Sequence, residues 1–181
     1  STAVPHLTIT LQTVASVPAP PQRAPDFQQG DLLHYFVEGD LVIAHFPRYG
    51  QLHLNLAEGW TRGQVVPAAG QTYAILEDLI AISLSPHLRR RGKFLLHAFA
   101  AAYEGQAVLL VGGIGAGKTT TGLSLLNAGW QLLSNDSPVV MGDGRIQLYP
   151  GVLAAYPESF AHFATMAHLA ENGAMANGRR K

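Results

Sequence analysis

Short apolar or alternating runs recur along the first half of the chain, at Leu32 to Val37, Leu41 to Phe46, Leu52 to Leu56 and Gln64 to Val66. They are separated by Glu38-Gly39-Asp40, Tyr49-Gly50 and Glu58-Gly59, and period-two runs punctuated by turn residues predict a β-meander. Ahead of them, the proline-rich stretch from Pro18 to Asp26 lacks amide donors and restricts its neighbours, so it reads as a linker or an edge loop. Behind them, Ile75, Leu76, Leu79, Ile80 and Ile82 fall near helical spacing and predict a helix over Tyr73 to Ser85, ended by Pro86 and the arginines after it.

From Leu95 the pattern changes. An apolar, alanine-rich stretch runs to Ala102, a turn falls at Glu104-Gly105, and Ala107 to Val111 reads as a buried strand. A glycine loop follows, then a helix from Lys118 to Asn127 that Gly129 terminates. Gln131 to Leu133 predicts a strand, and Pro138 to Met141 with Arg145 to Leu148 predicts a hairpin turned by Gly142-Asp143-Gly144. Phe160, Phe163, Met166 and Leu169 are spaced for an amphipathic helix before Asn172-Gly173. No internal repeat is visible. The expected organisation is therefore a β-rich region over residues 1–91 and an α/β region with a mixed sheet over residues 92–181.

Composition changes this picture little. Hydrophobic residues make up 48% of the 181, and 12 basic side chains balance 12 acidic ones, so no net field recruits a polyanion. The basic runs Arg89-Arg90-Arg91-Gly92-Lys93 and Arg179-Arg180-Lys181 carry no interleaved aromatic residues, and nucleic acid is not an expected partner. Cysteine is absent, which excludes disulfides, thiolate metal sites and a cysteine nucleophile. Residues 1–25 lack the basic and apolar regions of a secretory signal, and no apolar stretch reaches a membrane span. The expectation is a cytoplasmic protein without a membrane partner, and Ser1 in place of Met reads as a trimmed or partial chain.

The strongest chemical signal is Gly112-Gly113-Ile114-Gly115-Ala116-Gly117-Lys118-Thr119, which satisfies G-x-x-x-x-G-K-[ST] between a predicted strand and a predicted helix. Backbone amides must close around several phosphate oxygens, and residues without a Cβ allow that approach. The helix N-terminus adds amides and the positive end of its dipole. Lys118 can reach the β and γ oxygens, and the Thr119 hydroxyl suits Mg2+. ATP with Mg2+ is the expected ligand.

Two further residues stand out. Asp136 follows the predicted strand after the loop's helix, and in a βαβ arrangement that strand end would open onto the same crevice as the phosphate loop. There it could hold a metal or accept a hydroxyl proton, or it could merely cap a turn beside Asn135 and Ser137-Pro138. His97 lies in the apolar segment Leu95-Leu96-His97-Ala98 and reads either as a core histidine with one hydrogen-bond partner or as a functional side chain. The remaining histidines show no metal-ligand spacing.

Taken together, Leu96-His97-Ala98, Gly113 to Thr119 and Gly129-Trp130-Gln131-Leu132-Leu133-Ser134-Asn135-Asp136 resemble the HPr kinase/phosphorylase family, and in particular its shorter serine-kinase-like relatives. The likeness spans residues 92–157 and is weaker in the β-rich front. It implies a P-loop kinase core related to phosphoenolpyruvate carboxykinase, preceded by a small β-rich region. It also implies that Lys118 contacts the transferred phosphate, Thr119 and Asp136 serve the metal, Asp136 is the base for an acceptor hydroxyl, and His97 lines the reaction centre. The chain departs from the family where Asn135 replaces the first residue of an Asp pair and where Thr120, grouped here with the nucleotide-binding residues, replaces Glu. The later acidic segment and downstream arginine of the family have no counterpart before Lys181, so the core reads as incomplete or as built differently there. A homo-oligomer with a shared site is one way to complete it.

The expected activity is thus transfer of the γ-phosphate of ATP to a hydroxyl on a protein, peptide or small molecule, with serine as the first candidate. The alternatives are an ATP-binding sensor or scaffold without transfer, and a carboxykinase-type enzyme, against which stands the lack of a cationic cluster near the loop.

Overall fold

The computed structural model describes residues 6–72, 75–113, 115–148, 153–163, 165, 166 and 168, together with 175, 176, 179 and 180. The chain is mixed α/β and divides into two compact units, residues 1–91 and 92–181.

The first unit is one six-stranded mixed sheet. Its strands are β1 (Thr8–Thr13), β2 (Phe27–Gln29), β3 (Leu33–Glu38), β4 (Leu41–Phe46), β5 (Gly50–Asn55) and β6 (Trp60–Val65), followed by the helices α1 (Ala68–Gln71) and α2 (Ile75–Arg89). Strand order is β1-β6-β5-β4-β3-β2, antiparallel except for the parallel β1–β6 pair. Four of these strands match the alternation read from the sequence, although β6 begins earlier, at Trp60. β1 and β2 lie at opposite edges of the sheet, about 24 Å apart at ~4.8 Å per strand. The proline-rich segment 14–26 connects them, and its thirteen residues are long enough for that span at about 3.3 Å per residue. It is an edge loop, held to β3 where Asp26 accepts from the Val37 amide at 2.6 Å and from Arg23 at 2.8 Å. Leu33, Val42, Ala44, Phe46, Leu52 and Leu54 of the sheet form the core with Ile75 and Leu79 of α2.

α2 does not stop at Pro86 as the sequence suggests but runs through it to Arg89. Proline in the last turn removes a single amide donor, a small loss where the helix is already held by Leu79, Ser83 and His87 on its buried face. Tyr73, the predicted start, lies outside the described residues.

The second unit is built from β7 (Lys93–Leu95), β8 (Ala98–Tyr103), β9 (Gln106–Val111), α3 (Lys118–Asn127), β10 (Gln131–Ser134), β11 (Val139–Met141), β12 (Ile146–Gln147), α4 (Pro157–Ala161), β13 (Met175–Ala176) and β14 (Arg179–Arg180). They form two three-stranded sheets, β10-β8-β9 and β12-β11-β7, and the pair β13-β14. The predicted βαβ neighbours are not neighbours: β8 lies between β9 and β10 and is antiparallel to both. The cause is the tight hairpin at Glu104-Gly105, both at positive φ (48° and 77°), which folds β8 directly against β9. β9 and β10 therefore still run in the same direction, with β8 between them.

α3 covers β8. Gly122 faces Phe99, and a Cβ on Gly122 would lie 2.4–2.5 Å from the ring, so only glycine lets helix and sheet approach this closely. α3 also packs Leu123 and Leu126 against Leu153, Ala155, Phe160, Phe163 and Met166. The long amphipathic helix expected there is only the short α4; single turns, Phe163 N–H to the Phe160 carbonyl and Met166 N–H to the Phe163 carbonyl, carry the remaining apolar residues onto the same cluster. Leu169 and Asn172-Gly173 lie outside the described residues. Among the described residues no helix is long and apolar enough to cross a membrane.

Candidate phosphate loop and the His97–Asp136 pair

The site gathers at one end of the strands of the β10-β8-β9 sheet, before β8 and after β9 and β10. Ala98 opens β8 opposite Val111, the last residue of β9, so His97 and Gly112 flank the end of one ladder. On the other side of β8, Ser134 pairs with Ala100, and the ladder then loosens: the Ala98 amide donates to the Asp136 carbonyl at 3.1 Å, and the Leu96 amide to the Pro138 carbonyl at 3.1 Å. Beyond this break the strands pair again as β7 and β11. His97 and Asp136 thus occupy an irregular stretch between two regular ones, anchored through the main chain while their side chains project.

Those side chains meet. His97 Nδ1 lies 3.1 Å from Asp136 Oδ1, and both remain open to solvent, at 60% and 65% exposure. Neither is a core group, so the reading of His97 as a buried core histidine does not hold. The turn that presents Asp136 is closed by the Ser137 amide donating to Ser134 Oγ at 3.1 Å, with Ser134 buried. Ser134, not Asp136, supplies the turn-capping side chain. Asn135 points inward, its Nδ2 3.5 Å from the Ala154 carbonyl and its buried Oδ1 without a hydrogen-bond partner among the described residues.

The loop between β9 and α3 has the backbone its glycines allow. Gly115 and Gly117 adopt φ of 78° and 84°, the left-handed region open to glycine without strain. The loop also closes tightly: a Cβ on Gly112 would stand 3.0 Å from that of Ala116, whose amide turns back to the Gly113 carbonyl at 3.3 Å. Gly117 is the N-cap of α3 and no side chain caps the helix, whose first turn contains Lys118, Thr119 and Thr120. Lys118 Nζ donates to the carbonyls of Gly112 at 2.7 Å and Gly113 at 3.0 Å. An ammonium has three donors, so one remains for an anion. Lys118 and Thr119 are half-buried and Thr120 is exposed; Ile114 lies outside the described residues.

The structure therefore brings His97 to Asp136, and Lys118 to its own loop. No hydrogen bond or ion pair joins the two groups among the described residues. Nor, among the described residues, does any set of three His, Cys, Asp or Glu side chains gather as a ready metal cage. Sequence reasoning missed Gly122 and Ser134. Gly122 carried a readable signal, since glycine inside a helix costs about 1 kcal/mol relative to alanine and needs a packing reason. Ser134 carried none beyond its place at a strand end.

No protein-family model, curated protein or solved structure matches the chain.

Proposed function

We propose that residues 92–181 form an HPr-kinase-like P-loop core that binds ATP with Mg2+ and passes the γ-phosphate to a hydroxyl acceptor, a serine of a protein or peptide before a small molecule. The observation that carries this reading is the His97–Asp136 contact at 3.1 Å, exposed at the same end of the sheet's strands as the glycine loop. A carboxylate that only capped a turn would face its own backbone, whereas that task falls to Ser134.

The residues present suit a polyphosphate. Positive-φ glycines, an N-terminus that no side chain caps and a lysine with a spare donor all favour anionic oxygens. Bound there, the nucleotide supplies the phosphoryl group and its metal ion neutralises charge. Lys118 binds phosphate oxygen, and the amides of the loop orient it. The Thr119 hydroxyl and the Asp136 carboxylate are the oxygens that would hold the metal. Asp136 accepts the acceptor's proton at the oxygen left free by His97, and His97 fixes the orientation of that carboxylate. The reaction belongs in the cytoplasm, and a second copy of the chain is one source of the acidic groups that Asn135 and Thr120 replace.

The test is transfer from γ-labelled ATP to candidate hydroxyl acceptors. Asp136→Asn should still bind ATP through the loop and lose transfer by about 10²–10⁴-fold, the range for a removed general base. Full transfer by that variant would sink the assignment of the base. A second reading, ATP binding without transfer, is favoured by the openness of the His97–Asp136 pair to water. It predicts saturable ATP binding by the wild-type chain with no phosphorylated product from any acceptor.

A further inference from the structure

The first unit holds a concavity of about 730 Å³ between its sheet and the C-terminal half of α2. Phe27, Tyr35, Val42, Leu56 and Ile82 give it a mostly apolar wall, and Arg89 and Arg90 also line it. Its volume is that of a small-molecule site rather than a packing defect.

The two arginines are not equivalent. Arg90 is paired with Asp40. Arg91, next along, donates to the His87 carbonyl at 3.1 Å and to the His6 carbonyl at 2.8 Å, so its donors serve the end of α2 and the chain before β1. Arg89 has no carboxylate partner among the described residues. It stands near enough to the Tyr35 phenol to draw its pKa down against the burial that raises it. A phenol raised from 10.0 stays neutral near pH 7, so Tyr35 offers the guanidinium no counter-charge. Phe27 is also left 61% exposed at the rim, its ring 6.1 Å from that of Tyr35. An apolar cleft lined by one guanidinium without a carboxylate partner matches a ligand with an apolar body and a single carboxylate.

We propose that this cleft binds a small apolar monocarboxylate, with Arg89 taking the carboxylate and the Phe27–Tyr35–Ile82 wall taking the body. The site lies wholly within residues 1–91 and is independent of the phosphate-loop reading.

Octanoate, octan-1-ol and octylamine serve as matched probes of anionic, neutral and cationic heads. Each is titrated into the full chain below its aggregation limit, following the methyl resonances of Val42, Leu56 and Ile82. Octanoate should saturate these shifts and bind more tightly than octan-1-ol, with octylamine weakest. Arg89→Gln, at an exposed position, should weaken octanoate about tenfold, the scale of one charge-assisted pair, and leave octan-1-ol unchanged. Three results would overturn the proposal: no saturable shift with octanoate, equal affinity for the three probes, or octanoate affinity indifferent to Arg89→Gln.

Discussion

The two units treat histidine in opposite ways. In the first, His45 and His87 are buried and bound into side-chain networks: His45 Nδ1 lies 3.1 Å from Gln51 Oε1, Gln51 Nε2 lies 2.8 Å from His53 Nε2, and His87 Nε2 lies 3.0 Å from Thr61 Oγ1. In the second, His97 meets Asp136 in the open. The difference follows from the sheets. In the first unit His45 and Gln51 sit side by side on the face of β4 and β5 opposite Ala44 and Leu52, while Thr61 and His87 meet in the core between β6 and α2, where His87 is held through Nε2 and its Nδ1 has no partner among the described residues. The short ladders around β8 break at His97 and Asp136, and a break in a ladder is where side chains can point at a ligand instead of at the core. Polar contacts of similar length are thus buried in one unit and open to solvent in the other.

The sharpest way to break the second arrangement is to push α3 off β8. Gly122→Val drives methyl groups into the Phe99 ring and should cost about 3 kcal/mol, the upper range for overpacking. Denaturant unfolding should show the loss, with amide exchange accelerated in β8 and α3 rather than in β3 to β6. In the first unit, Thr61→Val keeps the shape but strips Ser83's carbonyl and His87 Nε2 of their shared hydroxyl. A buried unsatisfied pair of this kind should lower the unfolding free energy by about 2 kcal/mol.

Acid should separate the units next. Burial, set against the Gln51 hydrogen bond, holds His45 below the usual histidine value of 6.5; burial also lowers His53; burial followed by the Arg91 charge lowers His87. Whichever way the Gln51 amide lies, one of its two imidazole neighbours must present a lone pair, so both cannot be charged while the chain is intact. The unfolded state then binds protons that the folded state refuses. Stability is full above the unfolded value and falls as pH drops below about 6.5. Thermal melts from pH 8 to 5 should show this fall for the wild-type first unit, and a flatter profile for the His53→Gln variant. The smallest effect belongs to Asp143→Asn in the β11–β12 turn. Arg145 holds the Asp143 carboxylate below its ordinary range, but the pair is solvent-exposed, and no measurable change in melting temperature is expected.

Local pattern made much of this legible. Alternation marked β3 to β5, and the glycine loop, α3 and the β11–β12 hairpin were readable because turn and cap chemistry is local to a few residues. What escaped depended on distant partners. β1, Thr8–Thr13, is mostly exposed, and its parallel partner β6 lies far along the chain. Pro86 looked like a stop because the packing that holds α2 beyond it is invisible in the α2 sequence. The insertion of β8 between β9 and β10 required the pairing pattern, and so did the meeting of His97 with Asp136. The residues of the candidate site could be named from sequence; their contact could not.

The central claim is that this loop holds nucleotide phosphate, and the most direct measurement is a titration of the full chain with Mg·ATP that follows the amide resonances of Gly112, Gly113, Gly115 and Gly117. These resonances should shift and saturate together, and Lys118→Ala should weaken binding about 10- to 100-fold through the loss of a charged hydrogen bond. Loop resonances that stay in place at saturating nucleotide, or an affinity that Lys118→Ala leaves unchanged, would contradict it.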